Sequence, residues 1–324
     1  MEGLKPSKET VVLVTGASGW VGGHVAKALT DAGYSVRAAV RDPTAAKVAF
    51  LTDMGCALVS IPDLLGDEGW AEAMAGCAGL AHVASPIETS GKGDADVLTR
   101  QAVEGTERAL RFAALAGTVT RVVVTATMAS ICGSQREANP EHQWSEADHN
   151  DAPSSAYSKS KTAAEATVWE LADKYKDKFS VCTVHPAVVL GTLLPAQPVS
   201  STMSVVQGFA KGQVMSMMFG VCDAADVAEA HVLGLERKEA VNQRYLVCSR
   251  DQISTLELAQ WALTAGASGV DLAKWGANEE VQKMAPKKPA TDNRKVEALF
   301  GRALIAPETS LERAVQSLTQ QGLI

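Results

Sequence analysis

The chain of 324 residues contains no uninterrupted apolar run of the roughly 18 residues that a membrane-spanning helix needs. Its first ten residues, MEGLKPSKET, are polar and lack the apolar centre of a signal peptide. These absences lead us to expect a cytoplasmic protein with no membrane partner. Cysteine is sparse: Cys56, Cys77, Cys132, Cys182, Cys222 and Cys248 stand apart, with no C-x-x-C and no paired Cys/His spacing. Most lie in strand-like or alanine-rich runs, where a thiol behaves as a small hydrophobe, so neither a disulfide framework nor a structural zinc is expected. The six histidines are equally scattered, and no pair has the spacing of a metal-binding helix, so no metal is expected. Basic residues are in the minority, 30 against 37 acidic, for a net charge of −7. That balance argues against nucleic acid as the main partner. Repeats and low-complexity tracts are also missing.

The composition that remains, 46% hydrophobic and 21% charged, is that of a globular chain longer than one usual domain. Its most informative stretch is residues 11–23, VVLVTGASGWVGG. Residues 11–14 are apolar and β-branched, as in a strand buried within a parallel sheet. The run stops at Gly16, Gly19 and Gly22, and from Trp20 onward Val21, Val25, Ala28 and Leu29 recur at helical spacing. A glycine loop joining a strand to a helix N-terminus offers backbone N–H groups and the positive end of the helix dipole to a pyrophosphate. The stretch reads as a dinucleotide-binding loop. The competing reading is an ordinary glycine-rich turn of an α/β domain.

Strands are expected at residues 34–40, 56–61, 79–84, 121–125 and 179–184. They alternate with helices at 47–54, 67–77, 96–116 and 157–175, a rhythm that implies a parallel sheet with right-handed crossovers. The expected fold is α/β, a Rossmann-type doubly wound sheet, with ligands beyond the carboxyl ends of the strands. The polar, proline-bearing residues 135–154 read as a functional rim or a flexible insertion. Beyond Gly191 the rhythm stops. A loop at 197–204, helices at 205–211, 223–236, 254–265 and 310–320, a strand at 245–248 and a lysine-rich loop at 283–289 are expected. Ser254 and Glu257 form a capping-box pattern at the start of one of these helices. The expected organisation is a nucleotide-binding domain over 1–190, to which 221–250 return, and a smaller, mostly helical substrate lobe over 191–324, partly interleaved with it. The first ten residues are expected to be a mobile leader.

At the end of the second strand, an NAD site uses an acidic residue to bind the adenosine ribose. Arg41 stands there instead, with Arg37 on the same strand and Lys47 shortly after. A guanidinium in that place binds a 2′-phosphate by charge-assisted hydrogen bonds and stacks on adenine, which favours NADP(H) over NAD(H). Asp42 keeps NAD(H) open, and the alternative for both arginines is a solvated strand end. Tyr157 and Lys161, four residues apart, share one helix face. An ammonium there lowers the phenol's pKa and lets it act as general acid toward a carbonyl or as base toward an alcohol. The plain alternative is an exposed Tyr/Lys pair; Lys159 lies on another face. Thr127, with Ser130 in reserve, follows a buried strand and is placed to hydrogen-bond a substrate oxygen, unless these hydroxyls only finish the strand end.

The segments TGASGWVGG, VRAAVRDP, GLAHVASP, VVVTATMAS, YSKSK and HPAVVLG, in that order, resemble the extended short-chain dehydrogenase/reductase superfamily. Within it they are similar to the branch of dihydroflavonol reductases, cinnamoyl-CoA reductases and microbial NADPH-dependent aldehyde/ketone reductases. The resemblance implies a catalytic set of Thr127, Tyr157 and Lys161, with Thr127 standing where serine is usual. It implies cofactor contacts at Gly16, Ser18, Gly19, Trp20, Val21 and Gly22. Arg41 and Lys47 would meet the 2′-phosphate and Asp63 and Leu64 the adenine. Ala84, Pro186, Ala187, Val188 and Val189 would lie on the nicotinamide side, near Tyr157 and Lys161.

The resulting expectation is an NADP-dependent reductase of small aldehydes or ketones, reversible as an alcohol dehydrogenase, acting as a monomer or homodimer. Met203, Val206, Phe209, Met215, Met217, Met218 and Phe219 read either as apolar pocket lining or as core. One alternative is a nucleotide-sugar epimerase or dehydratase holding NAD, for which Lys211, Arg237 and Arg244 supply few and scattered charges. The other is a non-catalytic, redox-sensing binding protein.

Overall fold

A computed structural model of the chain describes residues 2–85, 94–135, 139, 141–282 and 290–324. The lysine-rich loop expected at 283–289 lies outside the described residues, as does part of the 135–154 rim. Seven parallel strands form the central sheet: β1 (Val11–Thr15), β2 (Ser35–Val40), β3 (Ala57–Ser60), β4 (Gly79–His82), β5 (Arg121–Thr125), β6 (Ser180–Pro186) and β10 (Gln243–Val247). Three short strands fall between the last two: β7 (Val188–Leu190), β8 (Met218–Phe219) and β9 (Val221–Asp223). The sheet order is β10-β6-β5-β4-β1-β2-β3, so the winding reverses between β1 and β4. In such a sheet the crevice outside the carboxyl ends at that reversal is the place where a ligand binds.

Helices cover both faces, as a parallel sheet requires. On one face α1 (Trp20–Asp31) packs with Val25 and Leu29 wholly buried. α2 (Ala49–Asp53) lies on that same face through Phe50 and Leu51; on the other, α3 (Trp70–Met74) leads to the long α4 (Ala95–Ala116), which packs against α5 (Ala156–Lys174). Val122, Val124, Leu110 and Val168 are buried in that layer. Residues 191–324, where the lobe is expected, contain α6 (Ser201–Ala210), α7 (Ala224–Glu236), β11 (Ile253–Ser254), α8 (Thr255–Thr264), α9 (Leu272–Gly276), α10 (Glu279–Gln282), α11 (Arg294–Phe300) and α12 (Pro307–Gln320). Of these, α7 packs on α1 against the sheet. None of the helices among the described residues is long and apolar enough to cross a membrane. None of the six cysteines is in a disulfide.

Local chemistry explains where the elements differ from expectation. The helix expected at 67–77 shrinks to Trp70–Met74 because Gly69 sits in the left-handed region, at φ +81°, and starts it late. The helix expected at 205–211 begins at Ser201, since Ser200 Oγ accepts from Met203 N at 3.1 Å and caps it. The leader is not loose: Leu4 N donates to Leu235 O at 2.9 Å and Ser35 N to Thr10 O at 3.1 Å. Ser254 and Glu257 do form a capping box at the head of α8. Met203, Val206 and Phe209 are fully buried in the lobe's own core, so they pack rather than line a pocket.

Candidate active site

The glycine loop owes its shape to three close approaches. Gly16 has φ +66°, and a β-carbon there would fall 2.8 Å from the Ala84 Cα, so the loop lies directly against the end of β4. A β-carbon on Gly22 would fall 2.1 Å from Gly16 O, which fixes how closely α1 approaches β1. Glycine inside a helix costs about 1 kcal/mol relative to alanine, and this contact leaves no alternative residue. Thr15, passed over in the sequence, seals the same crevice: its Oγ1 accepts from Val83 N and Ala84 N, both at 3.1 Å. Its own proton is then directed to His82 Nδ1, 2.9 Å away.

Gly19 is the N-cap of α1, where no side chain caps the helix and the first turn holds no acidic residue. The first N–H groups, including those of Val21 and Gly22, thus remain for an anion, as a dinucleotide pyrophosphate requires. Ser18 is half-buried beside them. The Trp20 indole turns toward the lobe, donating from Nε1 to Val189 O at 3.1 Å and meeting His24 edge-on at 4.8 Å. Only the Trp20 backbone is left for the loop.

At the far end of the crevice, Arg41 and Lys47 are exposed beyond β2. Arg37, by contrast, donates to Ala73 O at 2.7 Å and Ala75 O at 2.8 Å, closing the C-terminus of α3. It therefore drops out as a phosphate reader. Asp42 turns into its own loop, accepting from Thr44 N at 2.8 Å and Thr44 Oγ1 at 2.7 Å, bonds that hold its carboxyl below the usual range. Asp63 Oδ1 caps the following turn by accepting from Leu65 N at 2.9 Å, and Leu64 is half-buried against the α4 layer.

The reactive group stands at the head of α5. Ser155 and Ser158 make a capping box there, with Ser158 N donating to Ser155 Oγ and Ser155 N to Ser158 Oγ, both at 3.0 Å. That fixes the first turn and with it Tyr157, whose hydroxyl donates to Thr127 Oγ1 at 3.4 Å. Lys161, one turn on, is buried, with Nζ 5.7 Å from the centre of the Tyr157 ring. Lys159 is exposed. Burial pushes the Tyr157 phenol up, against the Thr127 hydrogen bond, and pushes Lys161 down to about 8. The net shift of Tyr157 is upward, so desolvation outweighs the depression by Lys161 expected from their spacing.

Thr127 and Ser130 separate clearly. Ser130 is buried, donates to Thr127 O at 2.9 Å and lies 3.3 Å from His185 Nδ1, so it supports the turn without facing the crevice. His185, at the end of β6, is held neutral by burial, its pKa pushed down to about 4. Beyond it, Glu165 Oε1 lies 3.3 Å from His185 Nε2 and 2.7 Å from Arg244 Nε. The sequence missed this group, although Glu165 follows Lys161 by four residues on the same helix face. Pro186 ends β6, after which Ala187 N donates to Val247 O at 3.1 Å and Val188 N to Gly220 O at 3.0 Å. Residues 186–189 therefore join β6 to β7, held by β10 through Val247 and by Gly220.

A family description of NAD dependent epimerase/dehydratase proteins matches residues 12–248. Among curated relatives, a cinnamoyl-CoA reductase of Medicago truncatula is 31% identical over 252 residues, spanning 73% of this chain and 76% of its own. Tetraketide alpha-pyrone reductase 1 of Arabidopsis thaliana is 28% identical and covers 97% of this chain and 96% of its own. Yeast methylglyoxal/isovaleraldehyde reductase Gre2, crystallised with NADPH, superposes with a TM-score of 0.83 at 22% identity over 97% of this chain and all of its own. With a reversing parallel sheet, an uncapped glycine turn and a Tyr157/Lys161 helix face in one crevice, the chain belongs to the NAD dependent epimerase/dehydratase family. Within these extended short-chain dehydrogenases/reductases it lies on the branch of the dihydroflavonol and cinnamoyl-CoA reductases.

Proposed function

We propose that the chain is an NADPH-dependent carbonyl reductase that converts an aldehyde or ketone to an alcohol and runs in reverse as an alcohol dehydrogenase. The observation that carries the reading is the Tyr157 hydroxyl, 3.4 Å from Thr127 Oγ1 and one turn from buried Lys161, at the carboxyl ends of β5 and β6 beside the glycine turn. Relatives named as reductases support it, as does a structural neighbour named a methylglyoxal/isovaleraldehyde reductase and crystallised with NADPH.

The cofactor, when bound, supplies the hydride. Gly16, Ser18, Gly19 and the N–H groups of Trp20, Val21 and Gly22 would hold its pyrophosphate, and Arg41 with Lys47 the 2′-phosphate. Asp63 and Leu64 would border the adenine, and Ala84 with residues 186–189 the nicotinamide. Thr127 Oγ1 and the Tyr157 hydroxyl converge on one point, where a substrate carbonyl oxygen accepts from both. Tyr157, protonated at neutral pH because burial raises it, delivers its proton to that oxygen as the alcohol forms. Buried Lys161 places positive charge behind the phenol and stabilises the phenolate left by the transfer.

The epimerase alternative loses one of its three cations, since Arg244 is committed to Glu165 inside the protein. The reading is tested by following loss of nicotinamide absorbance with purified protein, NADPH and NADH in parallel, over aromatic aldehydes, aryl ketones, β-keto esters and diketones. NADPH-selective consumption supports it. No consumption with any carbonyl, together with NAD carried through purification, moves the assignment to the epimerase class.

A further inference from the structure

We infer that Gln197 is a positioning residue that links the pyrophosphate-binding turn of α1 to the substrate lobe, so that cofactor binding and lobe order reinforce each other. The inference rests on the dinucleotide reading of the glycine turn.

Gln197 is 4% exposed although it lies in the connection between β7 and α6. Its side-chain amide is fully engaged: Nε2 donates to Gly19 O at 3.0 Å and to Trp20 O at 2.9 Å, and Oε1 accepts from Leu194 N at 3.3 Å. Two features of the chain accommodate it. A β-carbon on Gly23 would fall 2.5 Å from Gln197 Nε2, so glycine at that helical position makes room for the amide. Ala196, just before it, adopts φ +58°, a left-handed conformation that a residue with a β-carbon rarely takes. The backbone is bent to aim this one side chain inward.

The two carbonyls it grips belong to the peptide groups that carry the N–H of Trp20 and of Val21. In a planar peptide, a hydrogen bond to the oxygen polarises the N–H on the opposite side. Gln197 therefore strengthens and fixes two of the donors that α1 presents to a phosphate. Its other anchor is the lobe. Leu193 N donates to Ser317 Oγ at 2.8 Å and Gln321 Nε2 donates to Leu193 O at 3.0 Å, tying the same connection to α12. The Trp20 indole adds a parallel tie to Val189 O. Holding the cofactor turn thus holds the segment that leads into α6, and by reciprocity an ordered lobe holds the cofactor turn.

The test uses Gln197→Met, which keeps the volume but cannot donate, and needs no carbonyl substrate. NADPH affinity is measured by nicotinamide fluorescence, and amide hydrogen exchange is followed with and without NADPH. In the unmodified protein NADPH should slow exchange in residues 16–24 and also in 191–210. In Gln197→Met the protection of 16–24 should persist, that of 191–210 should be lost, and the NADPH Kd should rise roughly five- to twentyfold. Gly23→Ala combined with Gln197→Ala, which fills the vacated space, should regain stability while still failing to protect 191–210. Equal protection of 191–210 in Gln197→Met and the unmodified protein would overturn the inference. Absence of protection at 16–24 in the unmodified protein would overturn the dinucleotide reading and this inference together.

Discussion

Glu165 grips Arg244 at two points inside the protein, Oε1 to Nε at 2.7 Å and Oε2 to Nη2 at 3.2 Å. The guanidinium continues outward, donating from Nη1 to Glu146 O and to Asp148 O, both at 2.6 Å, and so fastens the 135–154 rim to the edge strand β10. Glu146 completes the joint by accepting from Leu246 N at 2.9 Å. The Arg244 guanidinium, charged and hydrogen-bonded beside it, favours the ionised Glu165 carboxyl against its burial. Removing one partner of such a buried pair strands the other charge, at a cost of about 3–5 kcal/mol. We expect Glu165→Ala and Arg244→Met each to lower unfolding free energy by that order, measured in urea. Arg244→Lys, which cannot make the forked contact, should fall between them and the unmodified protein.

Tyr157 and Thr127 should separate by what each contributes. Tyr157→Phe removes the proton donor and should lower kcat more than about a hundredfold, in line with the worth of a positioned general acid, with NADPH affinity nearly unchanged. Thr127→Ser keeps the hydroxyl and should retain most activity, whereas Thr127→Val should lose it. Ser130→Ala should reduce stability rather than rate, because Ser130 bonds inward to Thr127 O and His185. Steady-state kinetics and thermal unfolding on the four variants distinguish these outcomes.

Lys161 sets a basic limit. Its folded pKa is pushed from 10.5 down to about 8 by burial, so in the cofactor-free protein its charge is lost as pH rises through about 8. Carbonyl reduction, which uses that charge behind Tyr157, should decline above the same point. Stability moves the opposite way. Between about 8 and 10.5 the unfolded chain binds the proton that the folded chain has lost, so this group makes folding more favourable as pH rises. Lys161→Met should therefore abolish turnover while raising cofactor-free stability at pH 7, on the order of 1–3 kcal/mol. Calorimetry beside a rate assay reads both.

Four buried histidines set the acid limit. His24, His82, His185 and His231 are each pushed from 6.5 down to about 4, in every case chiefly by burial. Below pH 6.5 the unfolded chain takes up protons that the folded chain refuses until about 4. Their contribution to stability is complete above pH 6.5 and is lost progressively on acidification across that window. Unfolding at pH 5 should be accompanied by uptake of several protons, measurable as the slope of unfolding free energy against pH, and His231→Gln should reduce that slope.

Much of this was legible in the residues because local chemistry and global fold agree. β-branched runs ending at glycine marked β1, and RVVVT marked β5 to the residue. Tyr157 and Lys161 needed only helical periodicity to be placed on one face. What escaped depends on distant partners. Arg37 resembled a phosphate reader until the C-terminus of α3 arrived to use it. Nothing local in Gln197 indicates that it reaches Gly19, and nothing near Glu165 names Arg244. Met203, Val206 and Phe209 could be assigned to core only once α8 and α12 packed on them. The competition between burial and a nearby ammonium at Tyr157 also needed the three-dimensional site, since spacing gives the neighbour but not the desolvation.

The most direct test of the proposed reaction is transfer of a label. The protein is supplied with NADPH carrying deuterium at both C4 positions of the nicotinamide and an aryl ketone or aldehyde from the reactive set, and the product is analysed by mass spectrometry. One deuterium on the carbinol carbon, with labelled alcohol formed at least about a hundredfold more slowly by Tyr157→Phe under the same conditions, is the expected result. Alcohol formed without deuterium, or labelled alcohol formed by Tyr157→Phe at the rate of the unmodified protein, would contradict the proposed mechanism.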